Sequence, residues 1–205
     1  MRRAAVSILV TAVLCARGSA GGAARADDAR VLEPAVVEDT FSGDGLGQWA
    51  SYPPSQDVGY DPSIAPTAAL DAPGGRALMR RVTPPAPGPA RVGFIKKVNL
   101  VSAPDAAIAF RYRLEPADHA SATIEVGLAG ADGHRYVTTE QARSGGWVAN
   151  ERRFSAFRDG AGAALSEATR VEATYITANL EHARTDMTYR FLLDDVRVSA
   201  RREAR

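Results

Sequence analysis

A strict alternation of apolar and polar side chains between residues 107 and 128 constrains the fold of this chain more than any other feature. In residues 107–114, Arg111 and Arg113 occupy odd-numbered positions and the large apolar side chains occupy even-numbered positions. These apolar residues are Ile108, Phe110, Tyr112 and Leu114. Because successive side chains of a β-strand point to opposite faces, the segment predicts a strand with one buried and one solvated face.

The same two-residue alternation of apolar and polar side chains recurs along most of the chain. In residues 123–128, Ile124 and Val126 are predicted to point inward and Glu125 outward, and Asp132-Gly133 then provides a hairpin signal. The predicted strands are 36–41, 77–82, 92–100, 107–114, 123–128, 135–139, 147–154, 170–178 and 188–199. Short strands separated by turn clusters indicate an all-β antiparallel sandwich or barrel. Of these, a two-sheet sandwich with its first and last strands adjacent is predicted. Only 27–32 and 161–168 are predicted to be helical.

A proline-rich segment interrupts this pattern early in the chain. Nine of the 12 prolines lie in residues 53–89. Large apolar side chains such as Tyr60 and Ile64 punctuate the segment, which is not typical of a disordered linker. It is therefore predicted to be a loop excursion over the surface of the sandwich.

The amino terminus resembles an export signal. Arg2 and Arg3 precede an apolar run at 4–16, which is too short for a membrane span, and a small-x-small site lies at 24–26. Residues 1–26 are therefore predicted to be a signal peptide, and 27–205 one sandwich domain, secreted or periplasmic. The alternative is a lipoprotein lipidated at Cys15, although the bulky Leu14 fits that signal poorly.

Charge and cysteine content exclude some classes of function. Cleavage after residue 26 leaves 21 Lys and Arg against 24 Asp and Glu, a net charge of −3, which is not a nucleic-acid footprint. The single cysteine lies in the predicted signal, so neither disulfides nor thiol chemistry is expected in the mature chain. No second apolar segment could cross a bilayer.

Catalytic signatures are missing from the sequence. It contains no Gly-x-Ser-x-Gly, no His-Glu-x-x-His and no Gly-rich phosphate loop, and its three histidines, His119, His134 and His182, lie far apart. Two enzymatic alternatives stay open. A glycosidase would pair Glu125 with Glu140, Glu151 or Glu172 across a cleft. A polysaccharide lyase would use Tyr136 or His134 as base, with Arg135 neutralising a uronate.

Motifs at the two ends of the chain carry a family resemblance. The sequence EDTFSGDG at 38–45, followed by Trp49, and FLLDDVRV at 191–198 together resemble galactose-binding-like jelly rolls. Gly146-Trp147 and the stretch 171–176 lie where that family places later strands. The resemblance spans residues 36–200. It implies a jelly roll similar to the carbohydrate-binding modules of bacterial polysaccharide-degrading proteins.

The resemblance also implies a structural calcium site between the first and last strands. Calcium takes six to eight oxygen ligands, and the acids at these ends are Glu38, Asp39, Asp194 and Asp195. Asp194 has the parity of Val196 and Val198, so it is predicted to point inward. A cation is one remedy for a buried carboxylate, and hydrogen bonds to backbone amides or an arginine are another.

The predicted ligand is a polysaccharide, preferably an acidic one, bound without being changed. Lys97, Arg111, Arg113 and Glu125 are expected to line one solvated face, whose cationic excess suits uronates. Tyr52, Tyr60 and Tyr136 are predicted to be surface aromatics that stack on sugar rings. Trp49 and Trp147 are predicted to pack in the core. The same solvated face could also be an ordinary surface without a ligand.

Overall fold

A computed structural model describes residues 32–41, 48–53, 67–69, 72, 75–116, 121–143 and 145–203, with the backbone alone at 67–69. The predicted signal peptide, Cys15 and Tyr60 lie outside these residues. So does the predicted helix 27–32 except for Leu32, which begins a strand instead.

The described residues form eleven strands and one short 3-10 turn, Phe154–Ala156. The strands are β1 Leu32–Asp39, β2 Trp49–Tyr52, β3 Thr67–Ala69, β4 Ala77–Val82, β5 Gly88–Val101, β6 Ala107–Glu115, β7 Ala122–Gly130, β8 Arg135–Gln141, β9 Val148–Arg153, β10 Arg170–Ala183 and β11 Tyr189–Glu203. All nine predicted strands are present. The pattern did not predict the short strands β2 and β3.

The strands pair antiparallel in two layers. In the first layer, called the β11 sheet, β9 pairs β6, β6 pairs β11, and β4 and β1 share the other edge of β11, with β3 outside β4. In the second, the β10 sheet, the order is β8-β7-β10-β5-β2. The two layers join where Arg201 of β11 pairs with Val101 of β5. The predicted two-sheet sandwich and the adjacency of its first and last strands are confirmed.

The core fills the space between the sheets. Ile108, Phe110, Ile124 and Val126 are at most 2% exposed, as the alternation predicts. The aromatic rings of Phe94 in the β10 sheet and Phe191 in the β11 sheet stack with centroids 5.8 Å apart. Within the described ranges, no helix is long and apolar enough to cross a membrane.

The connections follow local turn chemistry. The Asp132-Gly133 hairpin between β7 and β8 is confirmed: Gly133 has a φ of 82°, and Asp132 Oδ1 accepts the backbone N–H of His134 at 2.9 Å. The predicted helix at 161–168 is wrong. The Asp159 carboxylate instead accepts the N–H groups of Ala161 and Ala163 at 2.9 and 2.8 Å, which makes a tight loop that buries Leu165.

Candidate functional site

The outer face of the β10 sheet carries a cluster built on Tyr175. In the register, Tyr175 lies beside Gly127 of β7, and a Cβ on Gly127 would overlap the Tyr175 ring. Tyr52 of β2 packs on the same ring, with centroids 4.7 Å apart and planes inclined by 30°. A glycine in mid-strand is therefore what allows the tyrosine ring to lie against the sheet.

The outer face of the β10 sheet is concave. Tyr52 on edge strand β2 and Arg135 on edge strand β8 are separated by three intervening strands, about 19 Å across a flat sheet. Nevertheless, Arg135 Nη1 lies 3.3 Å from the Tyr52 hydroxyl. The sheet must curl for these side chains to meet, and they close over Tyr175, which is 4% exposed.

A hydrogen-bonded array continues from Tyr175 along the concave face. Arg91 Nε donates to Asn179 Oδ1 at 2.7 Å, and Asn179 Nδ2 donates to Glu125 Oε2 at 3.3 Å. Arg91 Nη2 reaches the same carboxylate oxygen at 3.4 Å. Burial, followed by the neighbouring Glu125 carboxylate, raises the pKa of Tyr175 above its ordinary value. Tyr175 therefore remains a neutral hydrogen-bonding group at any physiological pH.

A pocket of about 360 Å³ opens at the end of this array. Its lining residues are Pro89, Ala90, Arg91, Asn179, Leu180 and Glu181. A guanidinium group, an amide and a carboxylate thus lie together beside an apolar proline and leucine. Pockets that hold small organic ligands begin at about 300 Å³ and combine apolar walls with a few placed polar groups.

Arg80 supports the concave face from inside the sandwich. It belongs to β4 of the opposite sheet and is 2% exposed. Its Nη1 donates to the carbonyl oxygen of Tyr52 at 2.7 Å and lies 3.3 Å from those of Pro53 and Gly93. These contacts tie the backbone that carries Tyr52 to the β11 sheet.

The structure splits the face that the sequence predicted. Glu125 and Lys97 lie on the concave face in register with Thr177 and Ala173 of β10. Arg111 and Arg113 do point outward, but from β6 of the β11 sheet. Arg111 pairs with Asp195 at 3.2 Å, and Arg113 pairs with Glu115. The prediction of one shared face is wrong because adjacent predicted strands belong to opposite layers of the sandwich.

The two predicted surface tyrosines that lie among the described residues, Tyr52 and Tyr136, are less accessible than expected. Tyr52 contributes to the site but is mostly covered, and Tyr136 is buried at the edge of the core. The Tyr136 hydroxyl donates to Asp132 Oδ2 at 2.8 Å, and this hydrogen bond raises the tyrosine's pKa. Tyr136 is therefore not a surface aromatic, and its raised pKa favours the protonated hydroxyl over the phenolate that a base requires. Of the two tryptophans, Trp49 is buried in the core as predicted, whereas Trp147 is only partly buried.

Glu125 does not converge with two of its candidate partners. Glu140 pairs in register with the inward-facing Ile124 and forms an ion pair with Arg152 between the sheets. Glu151 pairs with Ala109 on the outer face of the other sheet. The two carboxylates of a glycosidase cleft are therefore not formed by Glu125 with either residue.

The calcium ligands implied by the resemblance already have other contacts. Asp39 Oδ2 accepts hydrogen bonds from Lys96 Nζ at 2.6 Å and Trp49 Nε1 at 3.0 Å. Asp194 is fully buried as predicted, but its register partner Arg111 places it on the outer side of the β11 sheet. Its Oδ1 accepts the Asp195 N–H at 2.8 Å.

The described donors do not fit a calcium ion. Asp39 holds an ammonium group and Asp195 a guanidinium group, while Glu38 lies opposite Arg197 in the register. In the part of the chain that the structure describes, no three His, Cys, Asp or Glu side chains gather as a metal site requires. The calcium site stays a prediction.

Sequence reasoning missed Arg91, Asn179 and Tyr175. The parity of β10 was a usable signal, because Tyr175, Thr177 and Asn179 alternate with the inward Ile176 and Ala178. The predicted strand ended at residue 178, before Asn179. The meeting of β5, β10 and β7 on one face could be read only from the sheet order.

Comparison with known proteins supports the fold. No protein-family model matches the sequence, and a search of curated proteins found no match. Among solved structures, the CBM22-1 and GH10 modules of Clostridium thermocellum endo-1,4-beta-D-xylanase 10B, complexed with xylohexaose, align with a TM-score of 0.50 and 14% identity. The alignment covers 80% of this chain and 28% of that one.

Two further structures show similar strand arrangements. An exo-beta-agarase gives a TM-score of 0.50 at 7% identity over 78% of this chain and 24% of the enzyme. The CBM22-1 xylan-binding domain of Paenibacillus barcinonensis Xyn10C gives 0.46 at 13% identity, over 82% of this chain and 95% of that domain. This chain thus spans about a quarter of each of the two larger proteins and almost all of the small module. The resemblance to carbohydrate-binding modules and the jelly-roll sandwich are confirmed.

Proposed function

We propose that this protein binds a polysaccharide through the concave face of the β10 sheet and does not cleave it. The pocket beside Arg91, Asn179 and Glu181 is the single observation that carries the proposal. Its planar polar side chains can each hydrogen-bond two neighbouring sugar hydroxyls, and Pro89 offers an apolar surface for ring C–H groups. The similar solved structures include xylanase modules complexed with xylohexaose, which supports the same class of ligand.

The proposed glycan is acidic. The concave face carries Arg91, Lys97 and Arg135 against Glu125 and Glu181. The Arg91–Glu125 ion pair offsets one charge of each sign, which leaves Lys97 and Arg135 against Glu181, a cationic excess of one. Uronate carboxylates would pair with these side chains, and their affinity would fall as salt screens the charges. Export from the cell, proposed from the amino-terminal pattern, would bring the protein to such polymers.

Affinity electrophoresis in gels that contain polygalacturonate or neutral xylan tests this function. We expect retardation in both gels, stronger in polygalacturonate and reduced by added salt. Arg91→Gln should weaken retention about tenfold, because a charge-assisted hydrogen bond to the ligand is lost. Arg197→Gln, an exposed arginine on the other sheet, is the matched control and should bind normally.

Three results would overturn parts of the proposal. Absence of retardation in a panel of neutral and acidic polysaccharides would remove glycan binding. Equal retention of Arg91→Gln and the native protein would remove the concave face as the site. Release of shortened or unsaturated sugars would show that the protein is an enzyme.

A further inference from the structure

A second pocket lies at one end of the opposite, β11 sheet. Its volume is about 510 Å³, and its lining residues are Glu115, Pro116, Met187, Thr188 and Arg190. Pro116 and Met187 provide apolar surface, and Thr188 carries a hydroxyl that lies 2.9 Å from the Thr83 hydroxyl. This pocket, called the Arg190 pocket below, thus combines an apolar wall with hydroxyl and charged groups.

The side chains around the Arg190 pocket carry more positive than negative charges. Glu115 is contacted by Arg113 through Oε1 and by Arg190 through Oε2, the latter at 3.4 Å. Arg81 lies directly opposite Arg190 in the register of β4 and β11, so both side chains emerge on the same side of the sheet. This part of the face therefore carries three guanidinium groups and one carboxylate, which two of them contact. Arg81 is exposed and the Arg190 side chain is 49% exposed, so both can reach an anion from solvent.

An aromatic surface adjoins this row of arginines. The ring centroid of Trp147 lies 5.8 Å from Arg113 Cζ, and Trp147 packs against the small apolar cluster that contains Leu192 of the outer face. Leu192 is in register with Arg113, one step along the face from Arg190. Arg113 thus contacts both the indole and the Glu115 carboxylate that Arg190 contacts, so an anion that binds at Arg190 is expected to change the electrostatic field at the indole.

We propose that the Arg190 pocket is a second binding site, for a sugar that carries a carboxylate. The carboxylate contacts Arg190 and Arg81, the Thr188 hydroxyl hydrogen-bonds a ring hydroxyl, and the C–H face of the ring packs on Pro116 and Met187. Fork-shaped guanidinium groups match the two oxygens of a carboxylate. This site is independent of the one proposed on the concave face.

Two sites on opposite sheets would change what the protein does to a polymer. The concave face belongs to the β10 sheet and the Arg190 pocket to the β11 sheet, so the sandwich core separates them. One glycan strand on each face would be joined through a single protein molecule. Such bivalent attachment strengthens retention on a polymer without any new contact at either site.

Tryptophan fluorescence tests the second site directly. Titration with sodium D-glucuronate should change the emission of the native protein in a saturable way, whereas D-glucose and sodium acetate at equal concentration and ionic strength should not. Trp147→Phe should abolish the response, because Trp49 is in the buried core. Arg190→Gln should weaken glucuronate binding about tenfold through loss of a charge-assisted pair, and the exposed Arg81→Gln should also weaken it.

The controls separate this inference from the proposed function. Arg91→Gln, on the concave face, should leave the glucuronate titration of Trp147 unchanged. A flat titration, or equal affinity for Arg190→Gln, Arg81→Gln and the native protein, would overturn the second site even if polysaccharide gels still retard the protein. An equal response to acetate would overturn recognition of a sugar. A normal Trp147 response without gel retardation would instead overturn the proposed function alone.

Discussion

At the residue scale, Gly127 decides whether the Tyr175 ring can lie on the concave face. A Cβ at this position would overlap the ring, and Tyr52 already packs on the ring from β2. The ring therefore cannot move without disturbing the contact that connects β2 to β10.

We expect Gly127→Ala to destabilise the protein by about 1–3 kcal/mol, the usual cost of overpacking a filled site, and to weaken glycan retention. Gly160→Ala is the matched control, since a Cβ there meets no atom within 4 Å. Urea unfolding of both variants measures the difference. Equal stability of the two would show that the Tyr175 ring is free to move aside.

Asp132 is a second residue whose hydrogen bonds decide the position of a tyrosine side chain. The backbone N–H of His134 and then the Tyr136 hydroxyl lower the pKa of this carboxyl. The same contacts hold the hairpin between β7 and β8 and draw Tyr136 away from the surface. An aromatic residue beside a turn can thus be buried by a hydrogen bond to a turn residue. This explains why the prediction of Tyr136 as a surface residue is wrong.

At the element scale, Lys96 in the second half of β5 contributes a contact between the two sheets. Lys96 points inward and forms an ion pair with Asp39 of β1, with both side chains 12% exposed. Its ammonium also lies 6.0 Å from the centroid of Trp49. The next residue, Lys97, points outward and is exposed.

We expect Lys96→Met to lower the free energy of unfolding by about 2–3 kcal/mol, because it leaves the Asp39 carboxylate without its cation in a mostly buried position. Lys97→Met, one residue along the same strand, should change stability by less than about 0.5 kcal/mol. Chemical denaturation of the pair makes the comparison. Similar losses would show that the Lys96 ion pair contributes nothing beyond an exposed one.

At the scale of the whole molecule, side-chain contacts that cross between the sheets close the sandwich. Asp39 reaches Lys96, and Arg80 reaches the carbonyl oxygens of Tyr52, Pro53 and Gly93. Both contacts join β11-sheet strands to the β10 sheet, and the first of them occupies Asp39, one of the carboxylates of the implied calcium site.

We therefore expect the melting temperature to be the same in EDTA and in calcium chloride. A ligand that binds only the folded state stabilises it, by an amount that grows with the logarithm of its concentration above the dissociation constant. Differential scanning calorimetry of the native protein measures this. A fall in EDTA that calcium reverses would establish the calcium site that the family resemblance implies.

The sequence by itself determined the fold class and the strands that contain the core. Alternating side chains commit each strand to one buried face, since a slip of one residue would expose Ile108 or Ile124. This argument needs only neighbours in the chain, and it correctly identified nine strands and the Asp132-Gly133 hairpin. It missed β2, whose four residues are too few to show a period.

Only the tertiary structure decided which outward faces are shared. Lys97 and Arg111 have the same outward character in the sequence, yet β5 and β6 belong to different sheets. Similarly, an irregularity between Asp194 and Arg197 breaks the period of β11 and moves Asp194 to the face opposite that of Val196. Parity shows which side of its own strand a residue occupies, whereas a binding site depends on which strands lie side by side, and long-range pairing alone sets that.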